Sequence, residues 1–431
     1  MNKYKNKKIV IWGLGLHGGG LGVTKFLADL GAKILVTDLR DEKILKPTIN
    51  KLKKYKNIKY VLGKHNEADF FNADYIVANQ AIKPWNPLYL KLLKQKKNFL
   101  SEIGLFFEFN KAFTIGITGT KGKSTITALI YELINEEVKE KKNPLLKQYN
   151  KVFFGGNIRK SVFDTINKTN EKSIIVLELS SFQLEQAKYM KQSPNISIIT
   201  NITPEHIDWH KTMENYIESK SLIFKFQTKS DYLLLPTDLK NLANKAKSNI
   251  RYFNGSNEDA MYKFGLIFKI SEEKVLNTLK TFKGLEGRQQ FIQEIKGIKF
   301  FNDTCATHPA ANLFALKTFK NPIMIWGGVD KQAEIQELAS TFEKRKIRLV
   351  MFPGTASERI LKILNKNYQK QYIKHASTME EAVNLAFSWA KRGDEIILSP
   401  GAASFNMFLN EFDRGNQFNK LVKKLAKQLK M

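Results

Sequence analysis

The clearest chemistry in this sequence lies in Gly119-Thr120-Lys121-Gly122-Lys123-Ser124-Thr125. An apolar, β-branched run at 113–117 precedes it and an apolar-periodic stretch at 126–135 follows, so the loop joins a strand to a helix. Glycines there let backbone N–H groups crowd around phosphate oxygens, Lys123 can reach the terminal phosphates, and the Ser124 hydroxyl can ligate magnesium. The strict phosphate-loop pattern wants glycine where Ile117 stands. Here the glycines fall at 116, 119 and 122, a variant of the motif. An incidental glycine-rich turn fits this context less well, and binding of a nucleoside triphosphate is the strongest signal in the chain.

A second glycine pattern, Gly13-x-Gly15-x-x-Gly18, follows the apolar run 8–12, and Asp38 closes the run 33–38. That spacing fits a dinucleotide site. A helix N-terminus and bare backbone recognise any diphosphate, so a nucleotide-diphosphate sugar fits equally, as does a purely structural turn. The pattern alone does not separate the three. Glu178 and His206 are each read at the end of an apolar strand, where active-site groups of open α/β sheets gather. With Ser124 they form a plausible magnesium shell, the histidine acting through water because magnesium prefers oxygen. His210, one helical turn on, is read as structural.

The elements that position these groups alternate strand, glycine-bearing loop and helix, which implies α/β domains with parallel sheets. The 431 residues predict two to four domains. Further strands are expected at 173–177, 196–200, 232–235, 298–301, 322–326, 348–352 and 395–398, and the chain divides into 1–112, 113–288 and 289–431. Hydrophobic residues at 43% exclude a disordered chain, and Cys305, the single cysteine, excludes a disulfide framework. No apolar run reaches the ~18 residues of a membrane helix, so a soluble, cytoplasmic protein without membrane insertion is expected. The net charge of +29 raises nucleic-acid binding. Lysines spread along the whole chain and few arginines favour a solvated surface instead, with no nucleic-acid partner.

With the two loops, the chain resembles the Mur ligase family over essentially its full length. The further motifs are Gly155-Gly156-Asn157-Ile158, Glu178-Leu179-Ser180-Ser181-Phe182-Gln183-Leu184-Glu185 and Asn201-Ile202-Thr203-Pro204-Glu205-His206-Ile207-Asp208. Gly284-Leu285-Glu286-Gly287-Arg288, Asn302-Asp303-Thr304-Cys305-Ala306-Thr307, Gly327-Gly328-Val329-Asp330-Lys331 and Ser399-Pro400-Gly401-Ala402-Ala403-Ser404-Phe405 complete the set. The resemblance implies three domains: Rossmann-like at the N-terminus, a central phosphate-loop ATPase-type ligase domain, and Rossmann-like at the C-terminus. They would bind, in order, a UDP-sugar, ATP and an amino acid. The branch it is most similar to joins D-glutamate to UDP-N-acetylmuramoyl-L-alanine, as a monomer using ATP and magnesium.

Residue by residue, the resemblance makes Lys123, Glu178, His206 and Lys220 catalytic, Lys220 as the lysine the family carbamylates. Ser124, Glu178, His206 and Lys220 would serve the metal. ATP would meet residues 119–125, Asn254, Asn257, Arg288 and Asp303. Leu16, His17, Leu39, Arg40 and Asn157 fall to the UDP-sugar, and Lys331, Ser404 and Phe405 to the amino acid. Ser404 can also be read as a helix N-cap. The chain departs from the family pattern at four places. Lys121 replaces an asparagine, His17 a small hydroxyl residue, and Cys305 a lysine that contacts substrate carboxylates. In Asn410-Glu411-Phe412-Asp413-Arg414-Gly415 the aromatic is shifted by one position.

Overall fold

The computed structural model describes residues 2–15, 19–156, 161–186, 192–282, 284–320 and 322–429. The chain forms two compact units, Met1–Phe282 and Lys283–Met431. The first unit holds two wholly parallel sheets. One contains β1 (Lys8–Trp12), β2 (Lys33–Asp38), β3 (Ile58–Leu62), β4 (Tyr75–Ala78) and β5 (Phe99–Leu100), in the order β3-β2-β1-β4-β5. The other contains β6 (Phe113–Thr118), β7 (Lys151–Gly156), β8 (Ser173–Glu178), β9 (Ile196–Ile199), β10 (Tyr232–Pro236) and β11 (Asn249–Phe253). Its order is β11-β10-β9-β6-β8-β7.

Burial on both faces explains why the central strands are apolar without alternation. Every residue of β8 and β9 is buried. The helix Lys123–Glu140 covers one face with Ile126, Leu129, Ile130, Leu133 and Ile134, spaced three and four apart as a single helical stripe. These pack with Ile115, Ile117, Ile174 and Val176 from β6 and β8. That packing holds the phosphate loop at the carboxyl edge of the sheet, in the crevice where open α/β sheets bind ligands. The helix starts at Lys123, three residues before the expected 126.

The second unit has one sheet of β12 (Gln290–Ile295), β13 (Ile298–Asn302), β14 (Ile323–Trp326), β15 (Arg348–Met351), β16 (Ile373–His375) and β17 (Glu395–Leu398), in the order β12-β13-β17-β14-β15-β16. Only the β12–β13 pair is antiparallel. Lys296 and Gly297 turn that hairpin with φ of 51° and 77°, the left-handed pair a two-residue connection needs. Among the described residues no helix is long and apolar enough to cross a membrane.

Candidate active site

The phosphate loop leaves β6 and is clasped from the side by the chain after β9. The Thr120 N–H donates to the Asn201 carbonyl at 2.9 Å, and the Lys121 N–H donates to Asn201 Oδ1 at 2.9 Å. The Lys121 carbonyl accepts from Thr200 Oγ1 and Asn201 Nδ2. Thr120 Oγ1 exchanges bonds with the Thr203 main chain and lies 3.1 Å from the Tyr216 hydroxyl. The Lys121 side chain is exposed, and these bonds are made by its backbone. Gly119 has φ +148°, and a Cβ there would fall 1.9 Å from Thr200 Oγ1, so no side chain fits. Gly122 takes a left-handed conformation just before Lys123.

Lys123 folds back on its own loop, donating to the Gly119 and Thr120 carbonyls at 2.9 and 2.7 Å. Ser124, buried in the first helical turn with Thr125 beside it, donates to Glu178 Oε2 at 2.5 Å. Glu178 is the last residue of β8 and 2% exposed, as expected for a strand-end group.

Lys220 sits near the end of the helix Met213–Ser221 and is 1% exposed. Its ammonium donates to the Gly119 carbonyl at 2.7 Å and lies 4.5 Å from the Tyr216 ring centroid. Burial, reinforced by the Lys123 charge, lowers its pKa from 10.5 to about 7. Tyr216, one helical turn earlier, therefore shares its face; the four-residue spacing was a signal available in the sequence.

His206 is not at a strand end, which corrects the expectation. It lies seven residues beyond β9, at the start of the short helix Ile207–His210, with φ 57°. A histidine in the left-handed region is uncommon and marks a backbone held in place by its surroundings. Its exposed ring packs 4.8 Å from Phe182, and Nε2 lies 3.7 Å from Glu205 Oε2. Partial desolvation lowers its pKa, Glu205 opposes this, and Lys123 and Lys220 add to it. Gly119, Lys123, Phe182, Glu205, His206, Tyr216 and Lys220 surround one cavity of about 120 Å³, with Ser180 and Ser181 completing the wall.

Magnesium takes few protein ligands and completes its shell with water and phosphate. Ser124 Oγ and the Glu178 carboxylate, two hard oxygen donors side by side, fit it. No ready-made group of three or more His, Cys, Asp or Glu ligands occurs among the described residues. Lys220 in its amine form offers no oxygen donor.

Of the remaining candidates, Asn257 is the first residue of the helix Asn257–Gly265, and its Oδ1 lies 3.8 Å from where a Gly122 Cβ would stand. Asn254 instead accepts from the Ser256 N–H, closing a turn. In the first sheet Asp38 accepts from the N–H groups of Gly15 and Arg40, so its carboxylate holds the glycine loop to the end of β2. Arg40 and the exposed Leu39 follow it. Leu16, His17 and Asn157 lie outside the described residues.

The second unit gathers its own set. Asp303 accepts from Ser399 Oγ and the Gln289 N–H. Burial raises its pKa to about 7, against these bonds and Arg288. The Arg288 turn is held near this loop, since the Cys305 N–H donates to the Gly287 carbonyl. Lys331 Nζ donates to Thr307 Oγ1 at 2.9 Å. Ser404 caps no helix, contrary to the expectation: it lies in an irregular turn, 2% exposed, with its Oγ lacking a hydrogen-bond partner. Phe405 beside it is exposed. Arg414, fully buried, donates to Thr304 Oγ1 and to the Thr304 and Ala402 carbonyls.

Parallel α/β sheets, a clasped phosphate loop and a buried lysine over it are features of a nucleotide-dependent ligase, and the chain belongs to the Mur ligase family. Family models match at residues 7–99 (Mur ligase MurD-like, N-terminal domain), 117–293 (Mur ligase middle domain) and 287–402 (Mur ligase, glutamate ligase domain). The UDP-N-acetylmuramoylalanine–D-glutamate ligase of Borreliella burgdorferi (strain ZS7) is 34% identical, over 99% of this chain and 100% of that protein. The enzyme of the same name from Clostridioides difficile (strain 630) is 33% identical, over 98% and 99%. Among solved structures, the UDP-N-acetylmuramate-alanine ligase MurC of Thermotoga maritima has a TM-score of 0.58 at 14% identity, covering 97% of this chain and 99% of that one. MurF ligase from Thermotoga maritima, in complex with ADP, has a TM-score of 0.52 at 16% identity, covering 98% and 97%. These two likenesses concern the fold.

Proposed function

We propose that this protein joins D-glutamate to UDP-N-acetylmuramoyl-L-alanine at the expense of ATP, in peptidoglycan synthesis. The observation that carries the reading is the cavity that brings Lys123 and the phosphate loop against Lys220 and His206, in a chain related over its whole length to enzymes of that name. Residues 1–112 take the UDP-sugar, with Leu16, His17, Leu39, Arg40 and Asn157 at its contacts. Residues 113–288 take ATP, and 289–431 the amino acid. The protein works as a cytoplasmic monomer.

A carboxylate is a poor acylating group because hydroxide is a poor leaving group. The acceptor carboxylate oxygen therefore forms a bond to the γ-phosphorus as ADP leaves, giving an acyl phosphate. The glutamate nitrogen then bonds to the acyl carbon, phosphate departs with that oxygen, and the nitrogen loses a proton. Charge on the transferring group is met by loop N–H groups, Lys123 and Arg288. Ser124 and Glu178 would hold a magnesium ion, which when bound would neutralise further phosphate charge. The neutral amine of Lys220, buried beside Lys123, is suited to bonding through Nζ to the carbon of carbon dioxide with release of one proton, which gives a carbamate anion with oxygen donors; His206 completes that side. Asn254, Asn257 and Asp303 serve the nucleotide. Lys331, Ser404 and Phe405 serve the incoming amino acid, the unpartnered Ser404 hydroxyl being ready to accept or donate.

The test offers purified protein UDP-N-acetylmuramoyl-L-alanine, ATP, magnesium and a panel of amino acids while phosphate release is followed. D-Glutamate should be preferred and Lys123→Ala should abolish turnover. Preference for another amino acid would refute the assignment of substrate, which Cys305 makes the sharpest point of the test.

A further inference from the structure

Behind the cavity wall lies a chain of polar groups that the reaction above does not use. Glu185 Oε2 accepts from Ser219 Oγ at 2.8 Å; Ser219 Oγ stands 3.3 Å from His210 Nδ1; and His210 Nε2 stands 3.0 Å from Ser181 Oγ. His210 is 4% exposed, and its ring lies parallel to Phe182 at 5.7 Å with Trp209 and Tyr216 against it. Ser181 faces the cavity.

The direction of each bond follows from counting protons. A serine hydroxyl has one, and that of Ser219 goes to the carboxylate. Ser219 Oγ can then only accept from His210, so Nδ1 carries the imidazole proton. The ring is enclosed by Phe182, Trp209 and Tyr216 and its two nitrogens meet serine hydroxyls, with no carboxylate among the described residues directly on either, so the neutral imidazole fits the site and Nε2 is a bare acceptor. Ser181 must donate its proton to Nε2. Its Oγ is left with lone pairs alone for the cavity, an acceptor that cannot rotate to donate. The start of its helix is fixed as well, since Ser180 and Gln183 cap each other's backbone N–H groups.

We propose that His210 is a positioning residue: the Glu185–Ser219–His210 chain locks the Ser181 hydroxyl as a pure acceptor for a hydrogen-bond donor bound in the cavity. A donor of that kind is a cation-bound water or an amide N–H of the acceptor, whereas a phosphate or carboxylate oxygen is turned away. The proposal rests on the ligase reading for its kinetic consequence, and on the enclosure of the ring together with the hydrogen-bond geometry for the tautomer.

Two measurements test it. Long-range 1H–15N correlation spectra of the ligand-free protein should show His210 as the Nδ1–H tautomer, and Ser219→Ala should release it to the Nε2–H form. An Nε2–H tautomer in the unaltered protein, or no change in Ser219→Ala, overturns the chain whatever the enzyme's activity. In the ligase assay, His210→Phe keeps the stack on Phe182 and removes the acceptor; kcat should fall at least ten-fold with the melting temperature little changed. His210→Gln, which returns an acceptor near Nε2, should recover most of the loss. Adding His210→Phe to Ser181→Ala should cost nothing more. Equal activity of His210→Phe and unaltered protein, no recovery by His210→Gln, or losses that multiply in the double variant would each overturn the proposal. Unaltered protein that fails to turn over refutes the ligase reading instead, and leaves the tautomer to decide the chain. A His210→Phe protein that does not fold shifts the kinetic test to Ser219→Ala, with the same ten-fold expectation and refuted by unchanged kcat.

Discussion

Replacing Lys220 by methionine removes an ammonium that the fold buries at a cost, and the cost has a pH dependence that can be calculated. In the unfolded chain the amine holds its proton up to 10.5, and in the folded protein only to about 7. Between those values the unfolded state binds more protons, so the stability of the unaltered protein rises with pH through that window. At pH 7 the imbalance amounts to about 4 kcal/mol and at pH 9 to about 2 kcal/mol, from the two pKa values and 1.36 kcal/mol per unit. Lys220→Met abolishes the effect while adding a constant offset for the lost bond to the Gly119 carbonyl. Denaturant unfolding of both proteins in carbon-dioxide-free buffer is the assay. The stability gap should move by about 2 kcal/mol in favour of the unaltered protein from pH 7 to pH 9. A gap that stays constant over those two units would show that Lys220 keeps an ordinary pKa, and the argument for a reactive neutral amine would fall.

Gly119→Ala should leave a folded protein that no longer binds ATP, measured by calorimetry, because its Cβ meets Thr200 Oγ1 at 1.9 Å; retained affinity would mean the loop can relax. Ser124→Ala should raise the magnesium concentration needed for half-maximal turnover at least ten-fold, since one of two adjacent hard oxygens is lost. Cys305→Lys should lower KM for D-glutamate, and an unchanged KM would show that Lys331 already suffices. Arg414→Met should cost roughly 3 kcal/mol in unfolding, as buried carbonyls at 304 and 402 lose their donor.

The strands legible in the sequence are mostly those buried on both faces. β8 and β9 are buried throughout, with Ile174–Leu177 an unbroken apolar run, whereas the edge strands β3, β11, β12 and β16 are half-exposed and mix polar with apolar residues. Strand β4, buried at three of its four residues, and the edge strands β5 and β7 also lie outside the expected set. The site divides in the same way. Lys123, Ser124 and Glu178 were legible because local elements place them. His206 was assigned to a strand end because nothing local shows that the chain after β9 runs on for seven residues and turns left-handed. The clasp of Thr200, Asn201 and Thr203 on the phosphate loop joins positions some 80 apart in sequence, which no local pattern encodes. The unpartnered hydroxyl of Ser404 likewise emerges only once the fold encloses it.

That clasp has a consequence for how the enzyme tolerates change. The strip of chain that clasps the loop 119–125 runs straight on to His206, so neither can be re-aimed independently. A replacement at Asn201 or Thr203 would disturb the loop and the placement of His206 together. Variation that retunes the proposed substrate choice has to enter from elsewhere, and in the carboxyl-terminal unit it has to spare Arg288 and Asp303, which the proposed reaction gives to the nucleotide.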